Sequence, residues 1–235
     1  MPPTISAIFP NKQYSFIHES FLQCIPNDVL EIIDEKKTVL KLKKSQVLFH
    51  EGAIPTAVCI LKEGKVKNYT TGLNGKEHVF HLVGENRILG HHNILCDETY
   101  SHSAACLTDC IFYLIPKHIF FSIIENNRDL LDRLLQNIGH EFGVFVNNSK
   151  VMAQHSARER IALSIIKLEE FFNEGAIMNG GIKLSRKDHS NIVGTSIESL
   201  VRVLHDFKEE RIIEIKENVM IIKDMEKLIG IANVI

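Results

Sequence analysis

Five histidines fall within one stretch of the chain's first half: His78, His81, His91, His92 and His102, with Cys96, Cys106 and Cys110 nearby in sequence. Imidazole and thiolate are the usual ligands of zinc, copper and haem iron, so coordination is the chemistry these residues offer. Their spacing argues against it. In an extended segment neighbouring side chains face opposite ways, so the adjacent His91 and His92 do not aim at one centre. The five cysteines, Cys24 included, are odd in number and form no CxxC pair, a pattern that does not suggest a disulfide framework or a structural zinc site. They read as free thiols packing as small hydrophobes. No metal ligands or cofactor are assigned.

Catalytic residues are not assigned either. No Ser/His/Asp, Cys/His or paired-carboxylate arrangement stands out, and no glycine-rich phosphate loop is present. A cupin-like metalloenzyme needs histidines two apart on a strand with a carboxylate; His78 and His81 are three apart. Metal- or haem-sensing through the histidines is the alternative kept open.

A second constellation lies near the C-terminus, where Glu198 and Arg202 stand four apart. An arginine offers a bidentate fork to guanine, and a glutamate accepts from cytosine N4 or orients an arginine at i+4. Ile197 fits a thymine methyl group. Ser185, Arg186 and Ser196, near helix starts, suit phosphates, and Ser199 completes the DNA-binding set. Taken alone, Glu198 and Arg202 read more readily as an ordinary surface ion pair.

The elements that must position these residues form a pattern. Ser185 caps a short helix ending near Val193, and Gly194 supplies the left-handed backbone of a sharp turn. Ser196 caps a second helix with Leu200, Val203, Leu204 and Phe207 facing inward. Two β-rich stretches follow, Ile212–Lys216 and Val219–Lys223, turned by Glu217-Asn218, and then a short helix from Asp224 to Ala232. Two helices joined at a glycine and followed by a hairpin spell a winged helix-turn-helix; the second helix of such a unit enters the major groove. Upstream, Ser156 with Glu159 makes a capping box for a helix that stops near Gly175, before an Asn179-Gly180-Gly181 loop.

The first half reads differently. After helical apolar spacing between Ser15 and Asp34, short β-rich stretches alternate with turn residues: Thr38–Leu42, Gln46–His50, Ala57–Glu63, Lys65–Thr71, Glu77–Val83, His102–Leu107 and Ile111–Pro116. Asn74-Gly75 predicts a two-residue hairpin of the primed type, with positive φ at both centres. Strands at this spacing predict a rolled antiparallel sheet. From Asn127 to Gln154 the period becomes heptad. Leu131, Ile138, Phe145 and Met152 fall on one position and Leu135, Phe142 and Ser149 on another. We read this seam, through Leu131, Leu135, Ile138, Phe142 and Phe145, as a homodimer interface rather than a helix buried within one chain. Leu130 and Leu134 face the chain's own sheet.

The expected fold is thus α+β. An N-terminal antiparallel β-roll of the double-stranded β-helix or jelly-roll type spans 1–126, a long dimerisation helix 127–154, and a winged helix-turn-helix 155–235. At 235 residues the chain is long enough for two modest domains. No apolar run spans a bilayer, and Met1 to Lys12 lack the features of a secretory signal, so no membrane partner and a cytoplasmic location are expected. Twenty-seven basic against 29 acidic residues give a net charge of −2. DNA contact must therefore come from locally placed cations rather than a basic domain.

At this point the order of parts resembles the bacterial Crp/Fnr family of regulators. Leu61-Lys62-Glu63-Gly64-Lys65-Val66-Lys67 looks like its β-roll hairpin, and Ser156-Ala157-Arg158-Glu159-Arg160-Ile161-Ala162 like the start of its DNA-binding domain. Asn191 through Arg202 is similar to its recognition motif, in which Glu and Arg four apart read a half-site. The resemblance implies a homodimer on a palindromic double-stranded site, a TGA-like half-site core, a small-molecule effector, and RNA polymerase as a partner if the protein activates. Departures are equally legible. The effector pocket aligns with Gly90, His91, His92 and Asn93 and with Ser101, His102 and Ser103. His91 replaces the glutamate that holds a ribose hydroxyl; Ser101 or His102, depending on alignment, replaces the arginine that pairs with the cyclic phosphate. Charge-assisted hydrogen bonds are the strong ones, so no response to cyclic AMP is expected and the effector is unassigned. The oxygen-sensing branch holds an iron–sulfur centre on an N-terminal cysteine cluster, for which only Cys24 is available. A degenerate sensor that leaves a constitutive DNA-binding dimer is a further reading.

Overall fold

Alternating apolar and polar positions between Thr38 and Pro116 resolve into eight strands in two antiparallel four-stranded sheets. The structure is a computed structural model that describes residues 13–15, 25–173 and 181–233. The chain divides into two compact units, one built on residues 25–142 and the other on 143–233 with 13–15.

In the first unit, α1 (Asn27–Lys36) precedes β1 (Thr38–Leu42), β2 (Val47–Phe49), β3 (Ala57–Glu63), β4 (Val66–Thr71), β5 (Glu77–Val83) and β6 (Arg87–Leu89). The short helix α2 (His91–Leu95) follows, then β7 (Ser103–Cys106), β8 (Cys110–Pro116), α3 (Lys117–Glu125) and α4 (Arg128–Gln154). The sheet orders are β1-β8-β3-β6 and β2-β7-β4-β5, the face-to-face closure of a jelly roll. Between the sheets Leu61, Val66, Ala104 and Phe112 are fully buried, with Tyr100 stacked on Phe49 at 3.8 Å. A second core lies where α1, α2, α3 and the first half of α4 cover the strands; Val29, Ile94, Phe120, Leu130 and Leu134 meet there. Leu130 and Leu134 thus face the chain's own sheet, as their spacing predicts. A lone sheet buries too little apolar surface, and this helical layer supplies the rest.

Two details correct the sequence reading. Asn74-Gly75 does not form a primed two-residue turn. Only Gly75 has positive φ (74°), and the loop closes instead through Gly75 N–H to the Gly72 carbonyl and Gly72 N–H to the Lys76 carbonyl. Asn74 spends its side chain accepting from the Lys76 N–H at 3.1 Å, so its backbone has no need of the left-handed region. Segment 91–95 is helical, so the extended geometry in which adjacent histidines would diverge does not apply.

The second unit contains the end of α4, then α5 (Ala157–Asn173), α6 (Arg186–Val193), α7 (Ile197–Glu209), β9 (Ile213–Lys216), β10 (Val219–Ile222) and α8 (Met225–Ala232). The Gly175 stop and most of the Asn179–Gly181 loop lie outside the described residues. Ser156 and Glu159 close the capping box reciprocally, at 2.6 and 3.3 Å. The primed turn that Asn74 does not make occurs here: Glu217 and Asn218 both have positive φ, 48° and 65°, and join β9 to β10 directly.

Candidate nucleic-acid interface and sensor site

The helix-turn-helix is assembled from its caps inward. Ser185 Oγ accepts from the Asp188 N–H at 2.9 Å to start α6, and Ser196 Oγ accepts from the Ser199 N–H at 3.1 Å to start α7. Between them Gly194 ends α6 in the left-handed region at φ 68°. That φ asks for glycine, and a Cβ there would in addition meet the flexible tip of Met152, its Cε at 2.5 Å. Leu200, Val203, Leu204 and Phe207 are the buried residues of α7, as their period predicts. Two arginines missed by sequence reasoning hold the motif in place. Arg160 donates to the Val193 and His155 carbonyls at 3.0 and 2.7 Å, and Arg158 pairs with Glu210 at 2.6 Å above the Phe207 ring. Their residue types were visible; the carbonyls they reach were not.

Ile197, Glu198, Val201 and Arg202 are exposed on the outer face of α7, where with His205 and Asp206 they line one shallow concavity. His205 and Asp206 were not anticipated, although they continue the i, i+4 and i+3 spacing from Glu198 and Arg202. Glu198 is fully exposed, and hydrogen bonds from its own backbone N–H and the Ser196 hydroxyl hold its carboxyl below the usual range. Arg202 has no ion-pair partner among the described residues. Ser199 is half-buried beside the cap. Arg186 is half-buried at the start of α6, and the Ser185 hydroxyl donates to the Asp188 carboxylate at 2.6 Å. That carboxylate stands beside the hydroxyl read as a phosphate contact.

The roll presents a buried polar cluster. His91, Asn93, His102 and Ser103 are all buried, whereas Ser101 is exposed and the His92 side chain is 42% exposed. Gly90 starts α2 in the left-handed region (φ 77°), with the Tyr100 ring 2.9 Å from where a Cβ would lie. Ser103 Oγ accepts from the Glu51 N–H at 2.9 Å, and the Asn93 amide donates to the Thr99 carbonyl at 2.8 Å. His102 lies edge-on to Phe49 and Phe80, with Ser101 Oγ 3.2 Å from its Nδ1. Because 91–95 is a helix, His91 and His92 do not point apart; their ring centroids are 3.9 Å from each other. Glu141 of α4, not anticipated from the sequence, accepts from His92 Nε2 at 2.6 Å and lies 3.9 Å from His91 Nε2. Fifty residues separate it from the histidines, so no local spacing could announce it.

Burial, reinforced by the neighbouring His92, lowers the pKa of His91 to about 3 and leaves the ring neutral. Burial likewise takes His102 to about 4. Burial, the largest single influence, would raise Glu141, but the His92 hydrogen bond and the electrostatic attraction of His91, His92 and His81 together outweigh it and hold the carboxyl well below the ordinary range. Among the described residues, neither ring nitrogen of His91 has a hydrogen-bond partner, and Nε2 of His102 and Oδ1 of Asn93 and Asn68 also lack one. Each unpaired buried polar atom costs about 1–3 kcal/mol. Register places Asn68 opposite both His81 and Ala104, so the sheet brings that amide to the same cluster.

Fold and site together define a class: a β-roll joined by a long helix to a winged helix-turn-helix, the architecture of a two-part transcription regulator. The cyclic nucleotide-binding domain family matches residues 39–127, and the Crp-like helix-turn-helix domain family matches residues 159–231. The chain belongs to the Crp/Fnr family of transcription regulators, not to a family of enzymes. It is 25% identical over 202 residues to electron transport regulator A of Shewanella oneidensis, covering 84% of this chain and 78% of that one. It is 24% identical to the fumarate and nitrate reduction regulatory protein of Vibrio cholerae, covering 87% and 81%. Among solved structures, FixK2 from Bradyrhizobium japonicum superposes with a TM-score of 0.73 at 14% identity, covering 85% of this chain and 98% of that one. No helix among the described residues is long and apolar enough to cross a membrane.

Proposed function

We propose that the protein is a sequence-specific, homodimeric DNA-binding regulator that acts in the cytoplasm on a palindromic site and does not respond to cyclic AMP. The observation that carries the reading is the outer face of α7, where an Arg202 without an ion-pair partner among the described residues stands with Ile197, Val201 and Glu198 on a helix fixed by its cap and turn. Arg202 reads guanine, Ile197 contacts a thymine methyl, and Ser185, Arg186, Ser196 and Ser199 lie near phosphates. Dimerisation uses the exposed stripe of α4: Leu135, Phe142 and Phe145 are 55%, 70% and 36% exposed within one chain. Ile138 and Leu131 are half-buried beside it, and Ile138 also packs on the roll's helical core. Indifference to cyclic AMP follows from the two positions that would clamp it, which carry neither a carboxylate nor a guanidinium. The effector is then another small molecule, and RNA polymerase is the partner if binding activates transcription.

Selection of bound duplexes from a random DNA library tests this, with wild type and Arg202→Ala run in parallel at fixed salt. The expected result is an enriched palindrome that the variant loses, by about 1–3 kcal/mol at one guanine per half-site. A palindrome enriched equally by both proteins would refute the placement of the reading helix.

A further inference from the structure

Three side chains from two distant parts of the chain converge in the roll unit with the donor set of a metal site. His91 and His92 of α2 and Glu141 of α4 each bring one ligand atom within 4.8 Å of the others. Ligands of a tetrahedral ion at about 2.0–2.1 Å stand about 3.3 Å apart. The His92 Nε2–Glu141 and His91 Nε2–Glu141 distances, 2.6 and 3.9 Å, bracket that value, and the two imidazole donors lie within 4.8 Å of each other. His91 is 1% exposed, yet among the described residues neither of its ring nitrogens has a hydrogen-bond partner, an arrangement that a purely structural histidine seldom tolerates. His92 is part-exposed, which gives an ion a route in and leaves a coordination position toward solvent.

We propose that His91, His92 and Glu141 bind one divalent first-row transition-metal ion of the zinc class. Two imidazoles and one carboxylate with an open fourth position suit zinc and its neighbours rather than calcium or magnesium, which take oxygen ligands. On binding, the ion replaces the hydrogen bond between His92 and Glu141; the Nε2 proton of His92 moves to Nδ1, or to solvent from a charged ring. The ion ties α2 to α4, whose later residues carry the exposed apolar stripe. Occupancy therefore sets how firmly that helix is held to the roll. The link from occupancy to DNA affinity rests on the regulator reading, whereas binding of the ion does not.

The test uses the full chain, free of any affinity tag and stripped with EDTA. It is titrated with Co²⁺, whose visible absorption reports tetrahedral nitrogen and oxygen ligation, and then with Zn²⁺ in competition. One ion per chain is expected. Glu141→Gln, which keeps shape and hydrogen bonding, and His92→Ala, at a part-exposed position, should each weaken binding by more than about 100-fold, beyond what loss of an outer-shell partner costs. Matching metal-free melting curves show that the variants fold. Sub-stoichiometric binding, or unchanged affinity in both variants, overturns the site. A separate titration of selected DNA with and without Zn²⁺ distinguishes the two readings. A saturated site with unaltered DNA affinity overturns the coupling alone, and a saturated site with no sequence selected overturns the regulator reading alone.

Discussion

Replacing Gly194 by alanine perturbs one backbone conformation and one contact, and the two separate experimentally. A left-handed φ costs a residue bearing a Cβ roughly 1–2 kcal/mol, and Gly194 sits at 68°. The new methyl would also lie 2.5 Å from the Met152 Cε. That tip belongs to a flexible side chain, 37% exposed, and swings aside for a small fraction of the full clash. Alanine in turn restricts the unfolded chain, which returns about 0.4–1 kcal/mol. The expected net loss is about 1–2 kcal/mol, measured by urea unfolding of the full chain with the transition of residues 143–233 followed separately. Gly194→Ala with Met152→Ala should recover only the contact share, about 0.5 kcal/mol of coupling, and leave the φ share. Full recovery in the double variant would mean that sterics alone demanded the glycine. No loss in the single variant would refute the left-handed turn and the helix-turn-helix built on it.

Three further outcomes are expected. His189 is 1% exposed, accepts or donates with Ser164 Oγ at 2.7 Å, and burial lowers its pKa to about 3. It stays neutral in the fold while the unfolded chain protonates below about pH 6.5, so its contribution is full above that pH and is lost as the pH falls toward 3. Going from pH 7.5 to 5.5 should cost about 1.4 kcal/mol. Urea melts of wild type and His189→Gln should differ in pH dependence by that amount; identical dependences would place the proton elsewhere. Phe142→Glu removes an exposed ring without touching the roll's core, and sedimentation should show monomers because each buried Phe contributes about 1.5–3 kcal/mol. A dimer that survives would mean the seam lies elsewhere. Cyclic AMP should leave the melting temperature unchanged, whereas a ligand at a hundredfold excess over its Kd adds about 2.7 kcal/mol; a saturable rise would refute the reading of His91 and His102.

Local chemistry settled much of this protein at the level of sequence. The caps at Ser156, Ser185 and Ser196, the turn glycine at 194, the wing turn at Glu217-Asn218 and the inward face of α7 each depend on residues within a few positions of one another. Hydrogen-bond offsets and helical period therefore expose them. The strands Thr38–Leu42, Ala57–Glu63 and Glu77–Val83 fall where alternation places them, while the three-residue β6 carries too little period to register. Tertiary structure decided the rest. Asn74 could serve a primed turn or a side-chain cap, and only the closed loop chose. His91 and His92 diverge on a strand but converge on a helix, and whether five residues after Gly90 coil depends on Tyr100 and the roll beneath them. Glu141 joins those histidines because Leu130 and Leu134 seat α4 on the roll. A contact between residues fifty positions apart comes from packing, which no local period encodes.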